Sequence, residues 1–326
     1  MRAVVVTSPG GPEVLELRTV ADPVPSRGEV RVRIRATAVN RADLLQRMGL
    51  YPPPPDAPQD IPGLELAGEI DAVGEGVTEL RAGERVFGIA SGGAYAELIV
   101  LPARAVARMP PSLDFVRGAA VPEAFLTAYD AMVLQAGLTA GENVLVSAVG
   151  SGIGTAAVQI ARAIGARPFG TARTKDKLDR ARTLGMVDGV VPEQGRFADA
   201  VAKLTGGGPH VVLELVGGAY VGEDVLCARP RARIVLVGLM AGARADLDLG
   251  MLLRKRLTLR GTVLRARPLE EKIAAARVLE DNLAPLFAEG KLAPVIDRVM
   301  PLAQVREAHE LMAKNETFGK VVLEVP

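Results

Sequence analysis

The chain has 326 residues, 49% apolar, 24% charged and rich in glycine (35), which is enough for two domains with sizeable cores in a soluble α/β protein. A formal net charge of +1 supplies no bulk field for nucleic acid or an anionic membrane, and no stretch reaches the ~18 to 20 apolar residues of a membrane span. The single cysteine, Cys227, excludes an internal disulfide framework, and the N-terminal apolar run is too short for a signal peptide, so a cytoplasmic protein is expected.

In chain order, the first third reads as strands: "RAVVV", "EVLEL", "EVRVRIRATAV", "LELAGEIDAVG", "ERVFGIA" and "YAELIVL", separated by turn clusters. Many short strands with few helices predict a β-rich, partly barrel-like domain over 1–122. One helix interrupts it in "VNRADLLQRMGLYPPPP". Asn40 is placed as its N-cap, Asp43 as the second half of a capping box, Leu44, Leu45 and Met48 as its buried stripe, and Gly49 as its end. A capping amide can still present its other edge to a ligand, so Asn40 is also a site candidate. Tyr51 joins it, anchored by the prolines that follow. Arg47 is expected to be solvated.

From about residue 123 the pattern changes. "NVLVSAV", "RPFGTA", "DGVVP", "HVVLELVG", "RARIVLVGLM" and "LTLRGTV" alternate with helical stretches, and strands rich in Val, Leu and Ile imply a parallel sheet covered on both faces. The expected organisation is a doubly wound Rossmann domain over 123–263, with 264–326 returning to the first domain. The return contains a helix from about Pro268 to Glu289 and two strands, "PVIDRVMPL" and "GKVVLEV". A basic cluster, Arg254, Lys255, Arg256, Arg260, Arg265 and Arg267, reads as a solvated face or subunit edge.

Within the alternating part, "VLVSAVGSGIGTAAVQIA" places a glycine turn between a strand and a helix. Unpaired N–H groups and the helix dipole there can hold a diphosphate. The G-x-G-x-x-G pattern is incomplete, with Val149, Ser151 and Gly154 at its three positions. An acidic residue ~20 positions on would mark NAD. Arg173 stands there instead, with Lys175 and Lys177 behind it, which favours the 2′-phosphate of NADPH. One cysteine and two distant histidines, His210 and His309, make a zinc centre improbable, so no metal is expected.

These residues resemble the zinc-independent, zeta-crystallin-like quinone oxidoreductases of the medium-chain dehydrogenase/reductase superfamily, closest to the tumour-suppressor-inducible branch. "GGPEVLEL", "NRADLLQRMGLYPPPP", "GLELAGEIDAVG", "PEAFLTAYDA", "SGIGTAAVQIARAIGA", "VLVGLM" and "FGKVVLEVP" carry the likeness nearly end to end. The resemblance implies a GroES-like catalytic domain beside the Rossmann domain. It also accounts for the missing metal: Asn40, Leu64 and Glu123 stand where zinc-dependent relatives have their ligands. By the same resemblance, Asn40 and Tyr51 lie beside the nicotinamide in an interdomain cleft. Thr127, Ser151, Gly152, Ile153, Gly154, Arg173, Lys177, Gly238, Leu239, Met240, Val263, Leu264 and Lys320 match cofactor-lining positions. Pro192 departs from the family, whose tyrosine there helps hold the adenosine phosphate.

The expected reaction is hydride transfer from NADPH to a quinone or related conjugated carbonyl, with Asn40 N–H and Tyr51 O–H polarising the acceptor oxygen. The alternatives are an NADPH-binding protein with little catalysis and an enone or enoyl reductase. "LTLRGTV" as an edge strand suggests a homodimer.

Overall fold

The computed structural model describes residues 1–326 as two units: Met1–Leu126 with Leu264–Pro326, and Thr127–Val263. In the first, β1 (Arg2–Val6) and β2 (Leu15–Thr19) form an antiparallel pair. β3 (Glu29–Val39), β4 (Glu65–Val73), β5 (Arg85–Ile89), β6 (Leu98–Pro102) and β7 (Ala107–Arg108) follow as an antiparallel set.

The eleven residues of β3 organise this unit. Val30, Val32 and Ile34 point into the core, while Arg31, Arg33 and Arg35 alternate outward. Arg31 and Arg33 pair with Asp71 at 2.6 Å each, and Arg35 with Glu69 at 2.8 Å. A register shift lies between Ile34 and Ala36. Opposite it, a Cβ on Gly68 would meet the Arg33 carbonyl at 2.1 Å, so only glycine fits. Beyond the shift, Ala36 to Val39 are all buried, and the strand delivers Asn40 from the core.

The second unit holds six parallel strands: β8 (Asn143–Val146), β9 (Arg167–Thr171), β10 (Asp188–Val190), β11 (Val211–Glu214), β12 (Arg233–Leu236) and β13 (Thr258–Gly261). Their spatial order, β10-β9-β8-β11-β12-β13, is the 3-2-1-4-5-6 order of dinucleotide-binding sheets. The central strands are buried throughout, as their apolar runs predict, whereas all four residues of β13, at the sheet edge, are exposed.

The chain then returns to the first unit. β14 (Ile296–Pro301) lies parallel to β15 (Lys320–Glu324), and β15 pairs antiparallel with Ala36–Val39 of β3. The helix expected from Pro268 to Glu289 has α-helical ends, Leu269–Val278 and Ala284–Ala288, joined by a wider turn over Leu279–Leu283. Pro285, in the first turn of the last segment, has no N–H to continue the ladder.

Several local expectations are corrected by packing. The apolar run "NVLVSAV" stops being strand at Val146, because Ala148 adopts φ +48° and turns the chain towards the next helix. In helix Arg41–Arg47, Leu44 is buried as expected, but Met48 is 44% exposed, and Asp43, Gln46 and Arg47 are buried instead. Arg47 is not solvated: its Nε donates to the Gly10 carbonyl at 3.1 Å. Arg265 departs from the basic cluster and is buried. Lys255 also has a structural task, its ammonium donating to the carbonyls of Val225, Leu226 and Ala228 at the end of helix Tyr220–Cys227.

Candidate active site

In the first unit, four residues from four segments converge. Asn40 follows β3, Glu65 begins β4, Lys320 begins β15, and Glu123 lies in the first turn of helix Pro122–Tyr129. The Glu65 side chain is fully buried and that of Lys320 nearly so. Lys320 Nζ donates to Glu65 Oε1 and to Asn40 Oδ1, each at 2.6 Å. Asn40 Nδ2 donates to Glu65 Oε1 at 2.8 Å and to the Ala38 carbonyl at 3.3 Å. Glu65 Oε2 accepts the backbone N–H of Glu123 at 2.9 Å.

The amide of Asn40 is therefore fully engaged: both N–H groups have acceptors and its oxygen holds an ammonium. The capping box expected at this helix start is present. Asp43 supplies its half with Oδ2 accepting from Asn40 N at 2.8 Å. The expected free N–H edge for an acceptor oxygen is absent in this arrangement. Asn40 acts instead as a clamp on Glu65 and Lys320.

Asp43 lies at the centre of a second buried group. It accepts from Gly63 N at 3.2 Å and from the Tyr95 hydroxyl at 3.1 Å, and Tyr95 Oη lies 3.3 Å from His309 Nε2. Burial raises the Asp43 carboxyl to about 6, against the pull of these donors. Burial, helped by the charge of Arg47, drives His309 down to about 3, so its imidazole is neutral. Arg265 reaches the other side of the helix. It donates to Gln46 Oε1 (2.5 Å), the Ser91 carbonyl (2.8 Å) and the Tyr51 carbonyl (3.3 Å), and its guanidinium lies 5.2 Å from the Tyr51 ring centroid. Tyr51 is half-buried, and burial raises its hydroxyl above the ordinary tyrosine range, so it remains a donor at neutral pH. Glu123 is half-buried too. Burial, with the Glu65 charge beside it, raises its carboxyl to about 8.

The candidate residues of the second unit gather at the carboxyl ends of its strands. After β8 the chain reaches Ser151, whose hydroxyl accepts from Gly154 N at 3.0 Å and caps helix Gly152–Ala163. Thr155 N bonds the Ser151 carbonyl, leaving the N–H groups of Gly152 and Ile153 as the free donors of that helix start. A Cβ on Gly154 would meet the carbonyl oxygens of Ala148 and Val149 at 2.6 Å, so the helix seats closely on its strand only with glycine there. Arg173 is exposed beyond β9, and Lys177 lies on helix Lys175–Thr183. Gly238, Leu239 and Met240 follow β12, Leu239 and Met240 about half exposed, and Val263 follows β13. This edge is receptive to an anion at the capped helix and carries positive charge beyond β9.

Thr127, buried, lies on helix Pro122–Tyr129, and Pro192 is half-buried beyond β10. Leu264 begins the returning segment and lines a cavity of about 420 Å³ with Pro58, Ile89, Ser91 and Gly92. Of the candidate residues only Leu264 lines that cavity. No three His, Cys, Asp or Glu side chains are grouped to hold a metal ion. The residues that sequence reasoning left out of the site are Asp43, Glu65, Glu123 and Arg265. Only Glu65 and Glu123 carried a signal, as carboxylates within strongly apolar surroundings.

Two family models match the chain: an alcohol dehydrogenase GroES-like domain over residues 26–111 and a zinc-binding dehydrogenase domain over 152–280. A quinone oxidoreductase of Lama guanicoe is 34% identical over 327 residues, covering 99% of this chain and 97% of the relative. One from Pseudomonas aeruginosa is 35% identical over 323 residues, covering 96% of each. The crystal structure of Escherichia coli quinone oxidoreductase complexed with NADPH superposes with a TM-score of 0.88 at 28% identity, covering 99% of this chain and 100% of the other.

Proposed function

Because the chain belongs to the quinone oxidoreductases of the medium-chain dehydrogenase/reductase superfamily, we propose that it reduces a quinone or related conjugated carbonyl with NADPH and without zinc. The observation that carries the reading is the carboxyl edge of the parallel sheet, with its capped helix start and the basic residues beyond β9. Gly152 and Ile153 N–H and the Ser151 turn hold the diphosphate, and Arg173 and Lys177 hold the 2′-phosphate. Thr127, Gly238, Leu239, Met240, Val263 and Leu264 line the rest of the cofactor. When bound, NADPH supplies the hydride.

The protein's part is to orient the acceptor and steady the charge that builds on its oxygen. Tyr51 O–H donates to that oxygen. Arg265 fixes the Tyr51 backbone and adds positive charge beside it. Asn40 and Lys320 hold Glu65 in place. Zinc independence rests on the donor set: an amide, two carboxyls and an ammonium already paired with one of them offer no sulfur or imidazole ligand.

A homodimer belongs to the same reading. The outer edge of β13 is exposed and unpaired, with Leu259 at 37% exposure, and two copies can join there around a two-fold axis. The deciding experiment titrates the purified protein with NADPH and NADH and then assays a panel of quinones and enones. Arg173→Ala is expected to weaken NADPH binding by roughly 10- to 100-fold, as loss of a charge-assisted contact of ~1.5–3 kcal/mol requires. NADH binding should change far less. Saturable NADPH binding with no turnover of any acceptor would replace the reductase by a binding protein.

A further inference from the structure

We propose that Glu123 is the proton donor of the reaction: its neutral carboxylic acid protonates the acceptor oxygen as hydride arrives. The assignment rests on the quinone-reductase reading above, and geometry then separates the roles of the two carboxyls. Both oxygens of Glu65 accept N–H donors, one the Lys320 ammonium and the other the Glu123 backbone, so Glu65 holds the negative charge of the pair. Lys320 is spent on Glu65 and Asn40. The Glu123 carboxyl has no such partner, although its own backbone N–H is bonded to Glu65. Two adjacent carboxyls served by one committed cation divide into an ionised member and a protonated one.

The groups facing Glu123 are Glu65 of β4, Lys320 of β15, Asp43 of helix Arg41–Arg47, Tyr51 beyond that helix, and Arg265. The carboxyl raised to about 8 agrees with the count of charges. The Glu123 charge also acts on Tyr51, the group proposed to hold the acceptor.

The step balances. Hydride adds to the conjugated acceptor, and an electron pair moves onto its carbonyl oxygen. The Glu123 O–H bond breaks as a new O–H forms on the substrate. The two electrons come from NADPH. The quinone, carrying the added hydrogen on carbon and the Glu123 proton on oxygen, becomes a hydroquinone when that carbon loses its proton to water and water protonates the second oxygen. Solvent reprotonates Glu123. Asn40, whose amide hydrogens are both engaged, holds Glu65 and Lys320 in register beside Glu123.

Glu123→Gln preserves shape and neutrality but carries no acidic proton. Infrared difference spectra of wild type against E123Q, without cofactor, should show a protonated-carboxyl band that titrates near pH 8 and is missing in the variant. Subtraction removes the bands of Asp43 and other buried carboxyls. Quinone turnover by E123Q should fall by roughly 10²-fold, the scale of general-acid catalysis, with the NADPH dissociation constant nearly unchanged. The fall of wild-type turnover above about pH 8 should vanish in the variant. If E123Q does not fold, the infrared titration is run on wild type against Glu123→Leu. An active wild type matched by E123Q at every pH, or a difference spectrum without the band, overturns the assignment of Glu123 alone. A wild type that turns over no quinone overturns the reductase reading with it.

Discussion

Lys320 holds together a site that its position in the sequence, six residues from the C-terminus, does not advertise. It neutralises Glu65 at 2.6 Å where water cannot. Lys320→Met is expected to cost about 3–5 kcal/mol in urea unfolding, because Glu65 would be left buried without a counter-charge. Adding Glu65→Gln should recover part of that loss; no recovery would mean that packing, not charge, explains the cost. At the same scale Asn40 was recognisable as a cap, but its second task was not. A cap, an oxyanion donor and a clamp all use the same amide, and only the positions of Glu65 and Lys320 reveal the clamp. Arg47 and Arg265 show the converse. Charged side chains are rarely buried unless paired, so composition placed them in solvent, while carbonyls of distant segments held them inside.

Elements were the most legible level. β3, with alternating Val and Arg, and the Val/Leu strands of the parallel sheet have periods that follow directly from side-chain geometry. Their ends were less so. β8 was read three residues too long because the left-handed Ala148 leaves no mark in hydrophobicity. The turn it creates seats the helix without the full glycine pattern: Ser151 supplies the cap, and glycine is sterically required at 154 alone among the three pattern positions. Gly154→Ala should therefore push the helix off its strand, costing about 1–3 kcal/mol and weakening NADPH binding in fluorescence titration. Undiminished affinity would detach the cofactor from this turn. The polar buried face of helix Arg41–Arg47 also escaped the periodic reading, since Asp43, Gln46 and Arg47 are paid for by Tyr95, Arg265 and Gly10 from other segments.

For the whole molecule, charge burial sets a stability profile. Asp43, Glu123, Glu214 and Asp224 are all raised by burial, and the last two form a tightly packed pair in the second unit. The native state thus binds protons that the unfolded chain releases above about pH 4–4.5. Each of these groups contributes stability below that point that is lost as pH rises, through about 6 for Asp43 and about 8 for Glu123. His309 and His210, lowered by burial, act oppositely, because the unfolded chain takes up their protons as pH falls below 6.5. Above about pH 6.5, where the histidines no longer oppose it, Glu123 predicts falling stability up to about pH 8. Urea unfolding across that range checks it, and a maximum near pH 8 would contradict it.

The sequence by itself determined the class of both units, the glycine turn after β8 and the family, because periodicity, glycine placement and motif order are local properties of the chain. Tertiary structure alone decided which polar residues meet. Asn40, Glu65, Glu123 and Lys320 come from segments up to 280 residues apart, and the charge on each carboxyl depends on which donor the fold brings within 3 Å of it.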